Sequence, residues 1–163
     1  MRATILADAS YCPDTGAGGW GYWIASDRGK RGGGGELSRP GTSTIAEMMA
    51  VVNALHVARA AELALPGDCL LVQTDCQAAI QAFEGTRACH DVDEQAVLAA
   101  FHEFRAWLAG LVVFRHVKGH TSRAKQPGAR FGANRACDGR AGRHMRAARA
   151  RIREASSAVV PQD

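Results

Sequence analysis

The chain has 163 residues and a mass of 17.3 kDa, and its 47% hydrophobic and 22% charged residues fit one globular domain with a sizeable core. No apolar run approaches the roughly 20 residues of a membrane helix, and Asp8 comes too early in the chain for the apolar segment of a secretory signal. Five cysteines without a C-x-x-C pair argue against a disulfide framework and against a zinc ribbon. We therefore expect a cytoplasmic protein with no membrane partner. The net charge of +4 is uneven, because residues 115–155 carry 12 basic and 2 acidic side chains and the remainder carries 8 basic and 14 acidic ones. This distribution is expected of a protein that binds a polyanion, and a solubilising tail explains the charge equally well.

The N-terminal part of the chain predicts three short strands joined by turns. These strands cover residues 3–10, 19–26 and 31–38. The second alternates Trp20, Tyr22 and Ile24 on one side, which is the period of a strand. Proline and glycine at 13–16 provide a turn, and the glycine-rich third strand is expected at a sheet edge. The three strands therefore predict an antiparallel meander.

The remainder of the chain alternates helices with strands. The predicted elements are a helix over 44–63, a strand over 69–74, helices over 77–83 and 91–108, a strand over 111–117, a basic loop over roughly 119–133 and a last helix from about Asn134 into the 150s. Strands reached through helices are expected to run parallel to the first. The sequence therefore predicts an α/β fold, a five-stranded mixed sheet flanked by helices, with residues 1–150 as the domain and 151–163 as a basic-to-polar tail that frays.

Two carboxylates stand where apolar strands end. Asp8 interrupts the first predicted strand, and Asp75 directly follows the fourth. Functional groups of open α/β sheets gather at the carboxyl ends of strands, so we expect these two side chains to lie close together. Paired carboxylates repel unless a cation lies between them, and oxygen ligands suit Mg²⁺. A single aspartate there would be explained as a cap; two at matched strand ends favour a metal site.

Three further residues have both a structural and a functional interpretation. Glu47 completes a capping box with Thr44, and Asp138 lies near the start of the last helix, where the helix dipole favours an anion. The segment His116-Val117-Lys118-Gly119-His120 leaves the fifth strand and contains two histidines four residues apart. With no further ligand at zinc-finger spacing, a loop histidine beside carboxylates is better suited to proton transfer than to zinc binding.

Taken together, these motifs resemble type I ribonuclease H. The strand motif Asp-Gly-Ser of that family corresponds to Asp8-Ala9-Ser10, and its helix motif Met-Glu-Leu corresponds to the segment around Glu47. Thr-Asp-Ser-Gln corresponds to residues 74–77, the His-Val-Lys-Gly-His stretch is intact at 116–120, and Asn-x-x-x-Asp corresponds to Asn134 and Asp138. The resemblance spans residues 3 to about 148 and implies a ribonuclease H-like fold.

The resemblance also implies a reaction. The family hydrolyses the RNA strand of RNA–DNA hybrids and leaves 5′-phosphate and 3′-hydroxyl ends. By this likeness, Asp8, Glu47, Asp75 and Asp138 would hold two Mg²⁺ ions, with Mn²⁺ as the other candidate, about 3.5–4 Å apart. His120 would assist proton movement and product release.

Substrate contacts follow from the same likeness. Recognition of the 2′-hydroxyl is expected from Gln77 and from the region of Ser10, while Ser43 and Thr44 replace a pair of family asparagines. Lys118 and Asn134 lie in matched motifs and are expected to bind substrate. The family's basic insertion has no counterpart in the short segment 84–93. We therefore expect the DNA strand to be held by basic residues of the C-terminal third: Arg123, Lys125, Arg130 and the arginines at 140, 143, 146 and 149.

Two other functions remain open from the sequence. Resolvases, integrases and exonucleases share this carboxylate sheet and cut DNA, although the intact His-Val-Lys-Gly-His stretch favours ribonuclease H. A non-catalytic nucleic-acid-binding module of the same fold would have lost acidic residues, and none is lost here. The expected partner is an RNA–DNA hybrid, and the expected oligomeric state is a monomer.

Overall fold

The computed structural model describes residues 2–117 and 129–158, and its strands form one five-stranded sheet. The strands are β1 (Arg2–Cys12), β2 (Ala17–Ser26), β3 (Gly29–Leu37), β4 (Cys69–Thr74) and β5 (Leu111–His116). The helices are α1 (Ser43–Ala60), α2 (Gln77–Phe83), α3 (Val92–Leu108) and α4 (Ala129–Ala158). No helix in these two ranges is long and apolar enough to cross a membrane.

The order and direction of the strands confirm the predicted mixed sheet. The strand order is β3-β2-β1-β4-β5; β1, β2 and β3 pair antiparallel, whereas β4 pairs parallel with β1 and with β5. The β1–β4 pairing runs from Arg2 opposite Cys69 to Leu6 opposite Gln73. Continued by two residues, this register brings Asp8 level with Asp75. Both residues therefore lie just beyond the point where the two strands stop pairing.

The main hydrophobic core lies between the sheet and the helices α1 and α3. Alternate residues of the strands face this side of the sheet, among them Ile5, Ile24 and Leu70, all fully buried. Helix α1 begins because the Thr42 side chain accepts a hydrogen bond from the Ile45 amide (3.1 Å). Its buried face then presses against β1, which places the first turn of α1 beside the end of that strand.

Helix α4 covers the opposite face of the sheet, where glycines allow a very close approach. A Cβ on Gly21 would lie 2.3 Å from the carbonyl oxygen of Cys137, and one on Gly19 would lie 2.3 Å from the amide nitrogen of Met145. No side chain fits in such a space. The alternation of residue types in β2 therefore has a packing reason on both faces. Trp20 and Tyr22 face the core, and Gly19 and Gly21, on the opposite face, pack against α4.

Helix α4 begins earlier than the sequence indicated. Residues 129–133 were predicted as the end of the basic loop, but they form the first part of a 30-residue helix. Gly132 suggested a loop because glycine costs a helix about 1 kcal/mol. The neighbouring alanines and arginines are strong helix formers and outweigh that cost. Helix α4 also continues through residue 150 to Ala158, while the division of the chain at residue 150 stays a prediction.

The close packing of α4 predicts that Gly21→Ala destabilises the protein. The added methyl group would push against the backbone of α4, and overpacking of this kind costs roughly 1–3 kcal/mol. Urea unfolding followed by circular dichroism measures this loss. The matched control is Gly139→Ala in α4, where the new Cβ would meet nothing closer than 3.8 Å; it should be neutral or stabilising. Equal stability of the Gly21→Ala variant and the wild type would contradict this packing.

Candidate active site

Three carboxylates meet where β1 and β4 diverge. Asp8 comes from β1, Glu47 from the second turn of α1, and Asp75 from the residue after β4. One oxygen of each lies within 4.8 Å of the others. The sequence predicted that Asp8 and Asp75 would lie close together, and the structure places Glu47 with them. Asp8 is buried, whereas Glu47 and Asp75 are half-buried.

Glu47 is held in the cluster by hydrogen bonds from two strands. Its Oε1 accepts from the Ala9 amide (3.2 Å), and its Oε2 accepts from the Thr74 hydroxyl (3.5 Å). The capping-box interpretation of Glu47 is therefore wrong: Thr42, not Thr44, caps α1, and Glu47 turns to the strand ends. A three-residue spacing fits both arrangements, and only the packing of α1 against β1 separates them.

The electrostatics of the cluster favour protonation when no cation is present. Burial, the charge of Asp75 and the charge of Asp138 raise the pKa of Asp8 from 3.8 to about 7. Burial, followed by the charges of Asp8 and Asp75, raises the pKa of Glu47 from 4.5 to about 9. Within residues 3–117 and 132–157, no arginine, lysine or histidine forms an ion pair with these carboxylates. The described part of the chain thus concentrates negative charge here without pairing it with a positive side chain.

Asp138 lies near this cluster without belonging to its closest group. It is exposed on α4, and its oxygens are not among those that meet within 4.8 Å. Its charge nevertheless contributes to the raised pKa of Asp8. The neighbouring Cys137 is fully buried, and its thiol points at the Leu6 carbonyl oxygen of β1 (3.9 Å), which fixes this part of α4 over the strand.

A hard divalent cation suits this arrangement of donors. Three carboxylates within a few ångströms offer only oxygen atoms, which Mg²⁺ and Mn²⁺ prefer to softer ligands. A bound cation would also remove the repulsion that raises the pKa of Asp8 and Glu47. The residues present therefore fit a divalent metal, while the number and identity of the ions stay predictions.

Two residues that position the cluster were not predicted from the sequence. Thr74 is fully buried; its hydroxyl donates to Glu47 and accepts from the Cys76 amide (3.3 Å). His116 was noted only as part of its motif, but its Nε2 lies 2.9 Å from the Asp75 carbonyl oxygen. The signal for Thr74 was its place directly before Asp75, since a hydroxyl at a strand end often bonds to the turn that follows.

The other predicted site residues fall into two groups. Ser10, Ser43, Thr44, Gln77 and Asn134 are all described: Ser10 lies two residues after Asp8 on the same side of β1, Ser43 and Gln77 begin α1 and α2, and Asn134 lies one turn before Asp138. Lys118, His120, Arg123 and Lys125 lie outside the described residues, as does the side chain of Arg130. The catalytic and substrate-binding roles of both groups stay predictions.

Comparison with known protein families identifies the group to which this sheet and carboxylate cluster belong. The family model described as RNase H matches residues 1–146, which is most of the chain. The chain belongs to the RNase H family. No curated protein sequence matches it. The predicted resemblance to ribonuclease H is therefore confirmed at the level of the family.

Solved RNase H structures share the fold at low sequence identity. RNase H1 from the halophilic archaeon Halobacterium salinarum NRC-1 is 21% identical, with a TM-score of 0.69 over 91% of this chain and 100% of that one. The N-terminal RNase H domain of a Mycobacterium tuberculosis protein is 17% identical (TM-score 0.66; 89% and 99% covered). LC11-RNase H1 from compost, solved in complex with an RNA/DNA hybrid, is 16% identical (TM-score 0.64; 86% and 97% covered). These likenesses confirm the RNase H fold.

The raised pKa values of Asp8 and Glu47 predict that the metal-free protein loses stability as the pH rises. Above their ordinary pKa values of 3.8 and 4.5, both carboxyls ionise in the unfolded chain, whereas in the folded protein they hold their protons up to about 7 and about 9. The folded state therefore binds more protons in this window, so the free energy of unfolding in EDTA should fall from about pH 5 to about pH 9.

Urea unfolding at a series of pH values tests this expectation. The double variant Asp8→Asn with Glu47→Gln removes both titrating groups and should show a flatter profile than the wild type. If the two profiles are parallel between about pH 5 and about pH 9, these carboxyls do not carry the pH dependence.

Proposed function

We propose that this protein hydrolyses the RNA strand of RNA–DNA hybrids and leaves 5′-phosphate and 3′-hydroxyl ends. The observation that carries the proposal is the meeting of three carboxylate oxygens within 4.8 Å at the strand ends, with no protein cation paired to them in the described ranges. Membership of the RNase H family and the hybrid-bound LC11-RNase H1 structure support the choice of substrate.

Asp8, Glu47 and Asp75 would hold the metal, and exposed Asp138 would complete the set on the open side. When two divalent cations are bound, they supply an activated water and neutralise charge on the reacting phosphate. The chain itself contributes rigidity, because hydrogen bonds from Ala9 and Thr74 fix both oxygens of Glu47. His116 fixes the backbone of Asp75 and acts as a positioning residue.

Recognition of RNA requires contact with the 2′-hydroxyl group. Gln77 is exposed at the start of α2, two residues after Asp75, and Ser10 is two residues after Asp8. Both therefore stand at the edge of the carboxylate cluster, where donors and acceptors for a ribose are needed. Ser43, Thr44, Lys118 and Asn134 complete the proposed substrate contacts, and His120 is proposed to move protons and assist product release.

Asp75→Asn should abolish cutting while hybrid binding is retained. The amide keeps the size of the side chain but removes a charged metal ligand. Mutation of a residue that only hydrogen-bonds to a metal ligand lowers activity by about 10–100-fold, so loss of the ligand itself should lower the cleavage rate by at least about a hundredfold. Cleavage of a labelled hybrid in Mg²⁺ measures activity, and fluorescence anisotropy in EDTA measures binding. The control is Asp27→Asn, an exposed aspartate outside the site. Cutting by Asp75→Asn at the wild-type rate would refute the site.

The choice of substrate separates this proposal from its alternatives. Purified wild-type protein is incubated with Mg²⁺ and a hybrid, a duplex RNA or a duplex DNA of the same sequence. Cutting confined to the RNA strand of the hybrid supports the proposal. Cutting of duplex DNA would favour a DNA nuclease of the same fold, and binding without any metal-dependent cutting would favour a non-catalytic module.

Divalent metal should stabilise the protein more at high pH than at low pH. Protons compete with the cation for Asp8 and Glu47, whose pKa values are about 7 and about 9. The rise in melting temperature caused by Mg²⁺ or Mn²⁺ should therefore be larger at about pH 8 than at about pH 6. Asp75→Asn should reduce this rise. An equal rise in melting temperature in that variant would place the metal-binding site elsewhere.

We also propose that the protein is a monomer and that it is located in the cytoplasm.

A further inference from the structure

The exposed side of α4 carries arginines and very little opposite charge. Arg135, Arg146 and Arg153 are 11 and 7 residues apart, which is about three and about two helical turns, so they lie on one face. Arg143 lies beside them, and all four side chains are exposed. We name these four residues the arginine face. The acidic neighbours on the described part of α4 are Asp138 at one end and Glu154 at the other.

Two other arginines of α4, Arg140 and Arg151, have structural partners and do not belong to this face. Arg140 donates through Nη1 to the Tyr22 carbonyl oxygen (3.3 Å), and Arg151 forms an ion pair with Glu36. Both tie α4 to the sheet. Arg149 is half-buried. The earlier expectation that Arg140 binds the nucleic acid is therefore replaced by a role in holding α4.

The arginine face is not built like an ordinary solvated helix surface. Such surfaces stabilise themselves with oppositely charged pairs three or four residues apart. Arg135 has Asp138 at such a spacing, but Arg143 and Arg146 are three residues apart, so their like charges repel. In the described residues, no arginine of the face forms an ion pair with an acidic side chain. An external polyanion would remove this repulsion.

Glycines leave room for two of these side chains to lie along the helix. The Arg146 guanidinium lies beside Gly142, 3.1 Å from the position of a Cβ there, and that of Arg143 lies 3.8 Å from a Cβ position on Gly139. Each side chain thus reaches back by four residues, in the direction of Asp138, as helical side chains do. The positive charge therefore lies along the helix surface between Gly139 and Arg146.

We propose, resting on the proposed function, that the arginine face of α4 binds the sugar–phosphate backbone of the hybrid outside the cleavage site. The face starts one turn before Asp138 and extends for about 27 Å along the helix, which matches about eight nucleotides of a duplex strand. It would give the chain a grip on the duplex despite the short connection, 84–91, between α2 and α3. Such a contact recognises the charge and spacing of the phosphates and does not depend on the base sequence.

The test compares two variants with the same change in charge. The triple variant Arg143→Gln, Arg146→Gln and Arg153→Gln removes three charges from the face, and glutamine preserves helix propensity. The control triple variant Lys30→Gln, Arg31→Gln and Arg105→Gln removes three exposed charges elsewhere. Both carry Asp75→Asn, so that binding is measured without cutting. Binding to a 24-base-pair hybrid is followed by fluorescence anisotropy from about 50 to about 200 mM salt.

The face variant should flatten the dependence of log K on log salt by about 2–3, because each phosphate contact contributes about 0.9. The control should keep the parent slope within about 0.5. The single charge-reversal variant Arg146→Glu is a second test, and it should also flatten the dependence of log K on log salt. Equal slopes for the face and control variants would overturn the inference. A loss confined to single-stranded RNA or DNA would overturn it as well, because the hybrid would then not be the ligand.

Failure of the inference and failure of the proposed function give different results. If the wild type does not cut the hybrid but the face variant flattens the salt slope, the arginine face binds the duplex and the proposed reaction is wrong. If the wild type cuts the hybrid and the slopes are equal, the reaction stands and the arginine face is not the docking surface.

Discussion

Mutual repulsion among three clustered carboxylates is the constraint on which this edge of the sheet depends. Asp8, Glu47 and Asp75 lie within a few ångströms of one another, and burial together with like charge raises the pKa of Asp8 and of Glu47. The fold tolerates the arrangement because β1 and β4 stop pairing just before it and leave an opening between them. Within residues 3–117 and 132–157, no arginine, lysine or histidine forms an ion pair that would offset this cost.

The packing of α4 against β2 connects this cluster with the basic part of the chain. Because Gly19 and Gly21 have no side chains, the helix backbone almost touches the strand. Asp138 is thereby held close enough for its charge to act on Asp8. The same helix carries the arginine face away from the cluster, so one rigid element presents the Asp138 carboxylate at one position and positive charge beyond it.

The fold is shared with other RNase H structures at only 16–21% identity because few positions of the sheet require a particular residue type. The sheet requires apolar residues in alternation and glycines beneath α4, and many sequences meet those conditions. The carboxylates depend on the fold in a different way, because Asp8, Glu47 and Asp75 meet only where β1 and β4 stop pairing and α1 begins.

The sequence by itself determined the element order, the mixed sheet and the closeness of Asp8 and Asp75. Alternating and helical periodicities are local, and the carboxyl ends of parallel strands meet at one edge. It did not determine what Glu47 contacts, because the three-residue spacing from Thr44 fits a capping box, whereas α1 is capped by Thr42 and Glu47 turns to the strand ends. Nor did it separate Arg140, tied to the sheet through Tyr22, from the exposed arginines of α4. Such distinctions depend on which face of a helix meets the sheet, and only the packing of distant segments fixes that face.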